Sequence, residues 1–217
     1  MYEDDERALD AGEFSGWMED IRSALRGGGE ARVPCEGCTA CCRSSQFVHI
    51  APEETDTLTH IPRELLFPAP RAPKGHVLMG YDERGCCPML IDDKCSIYEY
   101  RPRTCRVYDC RVFAAADVEV DPDKPLISER SSRWVFRYAG PPARIQHEAV
   151  RAAARFVAHN EVLSELVSSR NSTQLAVVAT EIFDLFLRED GSGGVSIGDP
   201  DPAVVAVELR RRRADPL

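Results

Sequence analysis

Nine cysteines stand in a chain of 217 residues, and all of them fall in two groups. The first reads Cys35-Glu-Gly-Cys38-Thr-Ala-Cys41-Cys42. Two residues between successive cysteines, used twice, let a tight turn aim three sulfurs at one point, the geometry of zinc knuckles and of ferredoxin loops. Gly37, Thr39 and Ala40 suit such a turn because small residues let the backbone curl closely round an ion. One C-x-x-C is a weak signal; two overlapping ones followed at once by a fourth cysteine are a strong one. The second group is Cys86-Cys87-Pro-Met-Leu, then Cys95-Ser-Ile-Tyr-Glu-Tyr-Arg-Pro, then Cys105 and Cys110. Seven residues separate Cys87 from Cys95 and nine separate Cys95 from Cys105, gaps that a hairpin and a short helix can span. Four thiolates on one Zn²⁺ leave two negative charges. Arg43, Arg101, Arg103 and Arg106, beside the cysteines, are candidates to offset them and to donate hydrogen bonds to sulfur.

Composition narrows the chemistry. Hydrophobic residues make up 43% of the chain, enough for a core that needs no disulfides in place of packing. An odd number of cysteines cannot all pair within one chain. The first residues, MYEDDERALD, lack the basic start and apolar centre of a secretory signal, so the expected compartment is the reducing cytoplasm. There, clustered cysteines read as metal ligands or catalytic groups. A net charge of −9 and a pI near 5.1 repel phosphate backbones and argue against nucleic-acid partners. The run Arg210 to Arg213 reads as a solvated tail. No stretch approaches the ~20 apolar residues of a membrane span, so no membrane partner is expected.

Other chemistry finds little support. The Gly27-Gly28-Gly29 run lacks the Gly-Lys-Ser/Thr of a phosphate loop and reads as a hinge. A thioredoxin-like role for Cys35 and Cys38 would need a strand before them, and GGGEARVP is a poor one. His49 reads as an ordinary strand histidine; His60 and His76 have no sequence partner. His147 and His159 are too far apart for a helical metal pair.

The elements that must position the thiols follow from periodicity. Phe14, Trp17, Met18, Ile21 and Leu25 recur at helical spacing, with Ser15 as cap. SSQFVHI and HVLMGYDERG read as strands, and Pro52 to His60 as a short helix. ADVEV and RWVFRY read as two further strands. From Pro142 the pattern is helical with a break near Asn160, then again over Thr173 to Leu187 behind Asn171 and Ser172. PAVVAVEL reads as a final strand, and residues 1–12 as weakly ordered.

The motif Cys35-x-x-Cys38-x-x-Cys41-Cys42, with Cys87-Pro-Met-Leu, Cys95-Ser-Ile-Tyr-Glu-Tyr-Arg-Pro and Cys105-Arg, resembles the bacterial and archaeal CxxCxxCC cysteine-cluster family over about residues 33–112. That family is described as zinc- or iron-chelating, and most of its members have no assigned activity. The resemblance implies a shared ligand set of Cys35, Cys38, Cys41, Cys42, Cys87, Cys95 and Cys105. Cys110 lies outside the pattern as a candidate eighth ligand, and Cys86 reads as a buried spare thiol. The cysteine cluster is also distantly similar to part of flagellin lysine N-methylases, which implies protein-lysine methyl transfer as a possible activity of relatives. No glycine-rich cofactor loop follows a strand here to support it.

The expected fold is α+β: a single compact domain whose cysteine-rich, loop-heavy metal-binding half packs on C-terminal helices. Its divisions are residues 1–29 (tail and helix), 30–112 (cysteine cluster), 113–190 (strands and helices packed on it) and 191–217 (strand and tail). The expected function is binding of Zn²⁺ or iron, the latter as ions or a [4Fe–4S] cluster. The alternative is an enzyme using that centre for redox chemistry or lysine methylation. All-thiolate sites suit both metals, and the number of sites, the catalytic residues and any protein partner stay open.

Overall fold

The computed structural model describes residues 8–35, 37–167, 171–189, 191 and 194–214. The chain begins with strand β1 (Leu9–Glu13), which runs directly into helix α1 (Phe14–Leu25). Glu13, not Ser15, caps this helix, its carboxylate accepting the Gly16 N–H at 2.8 Å. The helix buries Phe14, Trp17, Met18 and Ile21, and it ends at the glycine run as its sequence predicts. Residues 1–7 of the expected weakly ordered tail lie outside the described residues, while residues 9–12 form strand rather than tail.

The cysteine-rich region is built from small pieces. Strands β2 (Val48–Ile50), β3 (Leu66–Pro68) and β4 (Val77–Met79) make an antiparallel sheet in the order β2-β4-β3, with helix α2 (Thr55–His60) between β2 and β3. Strands β5 (Leu90–Ile91) and β6 (Lys94–Cys95) form a tight hairpin. Asp92 and Asp93 both take positive φ (48° and 60°), the backbone a two-residue hairpin turn demands. Short helices α3 (Arg103–Val107), α4 (Arg111–Ala116) and α5 (Pro125–Ser131) follow. Strand β7 (Trp134–Arg137) returns to pair in parallel with β1. The expected ADVEV strand is absent: Asp117 adopts a left-handed conformation (φ 55°) that ends α4, and Val118 N–H closes back on the Phe113 carbonyl.

The remainder is helical. Helix α6 (Pro141–His159) breaks at Asn160 into α7 (Glu161–Val167), as expected, and α8 (Ser172–Ile182) is capped by Asn171. A hairpin of β8 (Leu187–Glu189) and β9 (Val195–Ile197) precedes helix α9 (Pro202–Ala214). PAVVAVEL is therefore helix, not strand. Asp201 receives the Ala203 N–H on its side chain at 2.8 Å, Pro202 opens the first turn, and Val205, Ala206 and Leu209 bury one face.

Two apolar clusters hold these elements. The large one joins α1, α4, α6, α8, α9 and β7, and includes Phe14, Trp17, Val150, Val157, Ile182 and Phe186. Alanines at 149, 153, 176 and 179 are fully buried, which lets α6 and α8 approach closely. The small one gathers Val48, Ile50, Ile61, Met79, Met89 and Ile97 beneath the cysteines. The fold is mixed α+β. Among the described residues no helix is long and apolar enough to cross a membrane.

Candidate metal centre

The first cysteine group is held by its neighbours' carbonyls. The Cys38 N–H closes a turn on the Cys35 carbonyl at 2.7 Å, and Gly37 supplies the positive φ (78°) that the turn needs. The segment entering it is pinned from three sides. Ala31 N–H meets the Arg106 carbonyl at 2.9 Å, Arg111 donates to the Arg32 carbonyl at 3.1 Å, and Arg130 donates to the Pro34 carbonyl at 3.0 Å. Cys41 and Cys42 sit in a single 3₁₀ turn.

The second group is folded onto the first. Cys87 N–H donates to the Cys42 carbonyl at 2.7 Å, and the Asp82 carboxylate accepts the Cys86 N–H at 2.8 Å. Across the β5–β6 hairpin Cys95 stands opposite Leu90, which returns it towards Cys87. Cys105 lies on α3, and Cys110 immediately precedes α4.

The thiols of Cys35, Cys38, Cys41, Cys42, Cys87, Cys95, Cys105 and Cys110 all line one cavity of about 570 Å³, and none is paired in a disulfide. Cys86 is buried outside it, with Arg43 3.9 Å from its sulfur. Among the described residues, no three cysteine, histidine, aspartate or glutamate side chains already converge on a metal-binding point. The sulfurs stand around an open volume rather than in a closed tetrahedron.

Electrostatics ties these thiols together. Burial, then the neighbouring Cys41 and Cys38 charges, push Cys35 up to about 11 against the opposing pull of Arg130. Cys35 reaches solvent on one side while protein crowds its thiol on the other. Cys105 behaves alike. Burial and the charges of Cys41, Cys87 and Cys95 raise it to about 12, opposed by Arg101. Burial raises Cys110 to about 12 despite a hydrogen bond from Trp134. A hydrogen bond with Cys42, and then burial, raise Cys41, and burial raises Cys87. Metal-free, these groups hold their protons at neutral pH. Binding a cation would draw several thiolates out at once and release those protons.

Several residues that matter here carry no motif. Trp134 donates its indole N–H to the Cys110 sulfur at 3.2 Å. Arg130 stacks over that indole at 4.8 Å while holding Pro34. Asp109 and Arg111 form a buried ion pair at 2.7 Å, and the Trp17 indole donates to Asp109 at 2.8 Å, tying α1 to the Cys110 turn. The hydroxyl of Tyr108 and the Nε of Arg101 are buried without a hydrogen-bond partner among the described residues, and both residues line the cavity. An unsatisfied buried donor costs about 1–3 kcal/mol, and a sulfur-ligated anionic centre would supply acceptors for both. An all-thiol donor set with orphaned donors beside it therefore suits a thiophilic metal or cluster.

Of the four arginines expected to offset charge, only Arg101 lines the cavity, lying 3.7 Å above the Tyr98 ring. Arg103 instead donates to the Ala24 and Leu25 carbonyls at the end of α1, Arg106 faces Glu30 and Glu54, and Arg43 pairs with Asp93. The histidines stay outside. His49 meets His76 at 3.0 Å, His60 stacks on Tyr100, and His147 is buried in the helical core.

Residues 34–124 match the sequence model of the CxxCxxCC family, described as a "putative zinc- or iron-chelating domain". No curated protein and no solved structure matches the chain. Residues 34–124, the stretch that holds all nine cysteines, are thus similar to the CxxCxxCC family.

Proposed function

We propose that the protein carries an iron–sulfur centre on thiolates drawn from Cys35, Cys38, Cys41, Cys42, Cys87, Cys95, Cys105 and Cys110, in a reducing compartment, and that electron transfer is the chemistry this centre supplies. The observation that carries this reading is the spread of eight unpaired thiols round one cavity of about 570 Å³. A structural zinc ion gathers four ligands into one tight tetrahedron. A polynuclear cluster takes each thiolate on a different iron and so fits sulfurs set apart round an open volume. Met89, Ile97 and Ile127 add apolar lining to the cavity, and the orphaned Tyr108 hydroxyl would find an acceptor in a sulfur-ligated centre there. No observation above favours lysine methyl transfer in the same way.

The test is anaerobic purification of the full chain, with an absorption spectrum, metal analysis and acid-labile sulfide on one sample. A brown protein with comparable iron and sulfide is expected. A colourless protein holding only zinc would overturn the cluster and leave a chelating or structural site. Cys38→Ser should lower metal content and thermal stability together, since metal binding contributes directly to folding free energy.

A further inference from the structure

Cys110 lies outside the cysteine motif, yet its place at the cavity wall is fixed from two sides by buried groups. On one side, Asp109 is bound by the Arg111 guanidinium at 2.7 Å and by the Trp17 indole N–H at 2.8 Å. Arg111 also donates to the Ala11 carbonyl at 3.1 Å, so the Cys110 turn is fastened to both α1 and β1. On the other side stands Trp134, the first residue of β7 and itself buried. This strand is set against β1, with the Leu9 N–H donating to the Arg133 carbonyl at 2.8 Å. Arg130 lies 4.8 Å above the indole ring. The indole N–H that this packing aims reaches the Cys110 sulfur at 3.2 Å.

A neutral thiol is a weak acceptor, and a buried N–H directed at one gains little. A metal-bound cysteine sulfur carries negative charge, and the same N–H then makes a stronger, charge-assisted bond. The contact is thus worth most when Cys110 ligates a metal. Resting on metal binding at this cavity, whether of iron or of zinc, we infer that Trp134 is a positioning residue for the centre and that its indole N–H holds Cys110 as a ligand. Cys110 is then a ligand that the motif does not contain, put in place by the helical scaffold rather than by the cysteine loops. Its hydrogen-bond donor is as much a part of the site as the sulfur, because such donors orient metal ligands and tune their basicity.

The test uses the full chain under anaerobic conditions, with Co²⁺ as a spectroscopic probe of thiolate ligation and competition by Zn²⁺ to measure affinity. Trp134→Phe should bind about tenfold more weakly than the wild type. Its sulfur-to-cobalt absorption should move to longer wavelength, because the N–H no longer stabilises the sulfur lone pairs. In a Cys110→Ser background the same substitution should change affinity and absorption far less, since it acts through that sulfur. Phe136→Leu, two positions along β7, disturbs the same packing without touching the N–H and should leave the absorption in place. If Trp134→Phe does not fold by circular dichroism, the wild type carries the test: its Trp134 indole N–H resonance, with Trp17 as reference, should shift on Zn²⁺ loading. Equal affinity and absorption in the wild type and folded Trp134→Phe, an undiminished effect without Cys110, or an indole resonance unmoved by Zn²⁺ would overturn the role of Trp134 and leave the metal centre standing. A folded wild type that binds neither Co²⁺ nor Zn²⁺ would overturn both.

Discussion

The helical and cysteine-rich parts of the chain solve the problem of staying folded in opposite ways. The helical part shares in a core of 28 buried residues among those described, running from Ala11 to Leu209. The cysteine-rich part rests on a cluster of six, with strands of two or three residues and many unpaired loops. At roughly 25 cal/mol per Å² of buried apolar surface, the first draws far more stability from packing than the second. The lesson is a division of labour. Burial builds a scaffold from α1, α4, α6 and α8, and the thiols, once they gather metal, organise what hangs from it.

Three tests would break or sharpen that contrast. The largest effect is expected from removing metal with a strong chelator under anaerobic conditions, followed by hydrogen exchange. Residues 34–110 should lose protection while α6 and α8 keep theirs; equal loss in both parts would abolish the distinction.

Next is Phe186→Ala. Phe186 is fully buried and meets the Phe156 ring edge-on at 5.4 Å. The cavity left behind should cost about 3–5 kcal/mol by denaturant titration, with metal content unchanged in whatever protein remains folded. Metal loss in the folded fraction would tie the two parts together more closely than their cores suggest.

The smallest effect is pH-dependent. His147 is buried against Phe14, and its Nδ1 lies 2.7 Å from the Tyr138 hydroxyl. Burial, and then the Arg151 charge, hold it down at about 4 against its ordinary 6.5. Between those values the unfolded chain takes up a proton that the folded chain refuses. Stability is therefore complete above about pH 6.5 and lost progressively towards pH 4, by about 3 kcal/mol from this group. Melting wild type and His147→Asn across that range should show a steeper acid loss in the wild type. Parallel curves would remove His147 from the account.

How much of this could be read from the sequence depends on how locally each feature is encoded. The eight cavity thiols were legible because residue type and short spacing carry the signal, and the glycines and aspartates that shape their turns lie beside them. The helices α1, α6 and α8 were legible from their apolar periodicity. PAVVAVEL misled because its β-branched run outweighed the Asp201-Pro202 start, a helix signal that was present in the sequence. Helix α4 was hidden directly behind the second cysteine group, where RVFAAA is too short to show a period. Trp134, Arg130 and the Asp109–Arg111–Trp17 network could not be found locally. Trp134 meets Cys110 across 24 positions and Trp17 meets Asp109 across 92, contacts that exist only once the chain has folded.

Strand β1 pairs with β7 at the end of the chain's first long excursion, and this bears on how the protein can be cut. A fragment trimmed to residues 34–124 would retain every cysteine and lose both β1 and β7. Cys110 would then lack its indole donor, the Asp109–Arg111 pair would lose the Trp17 N–H, and the Pro34 carbonyl would lose Arg130. The stretch that matches a family and the stretch that holds the cysteines' partners are thus different lines on this chain, and the second is drawn by residues that carry no motif at all.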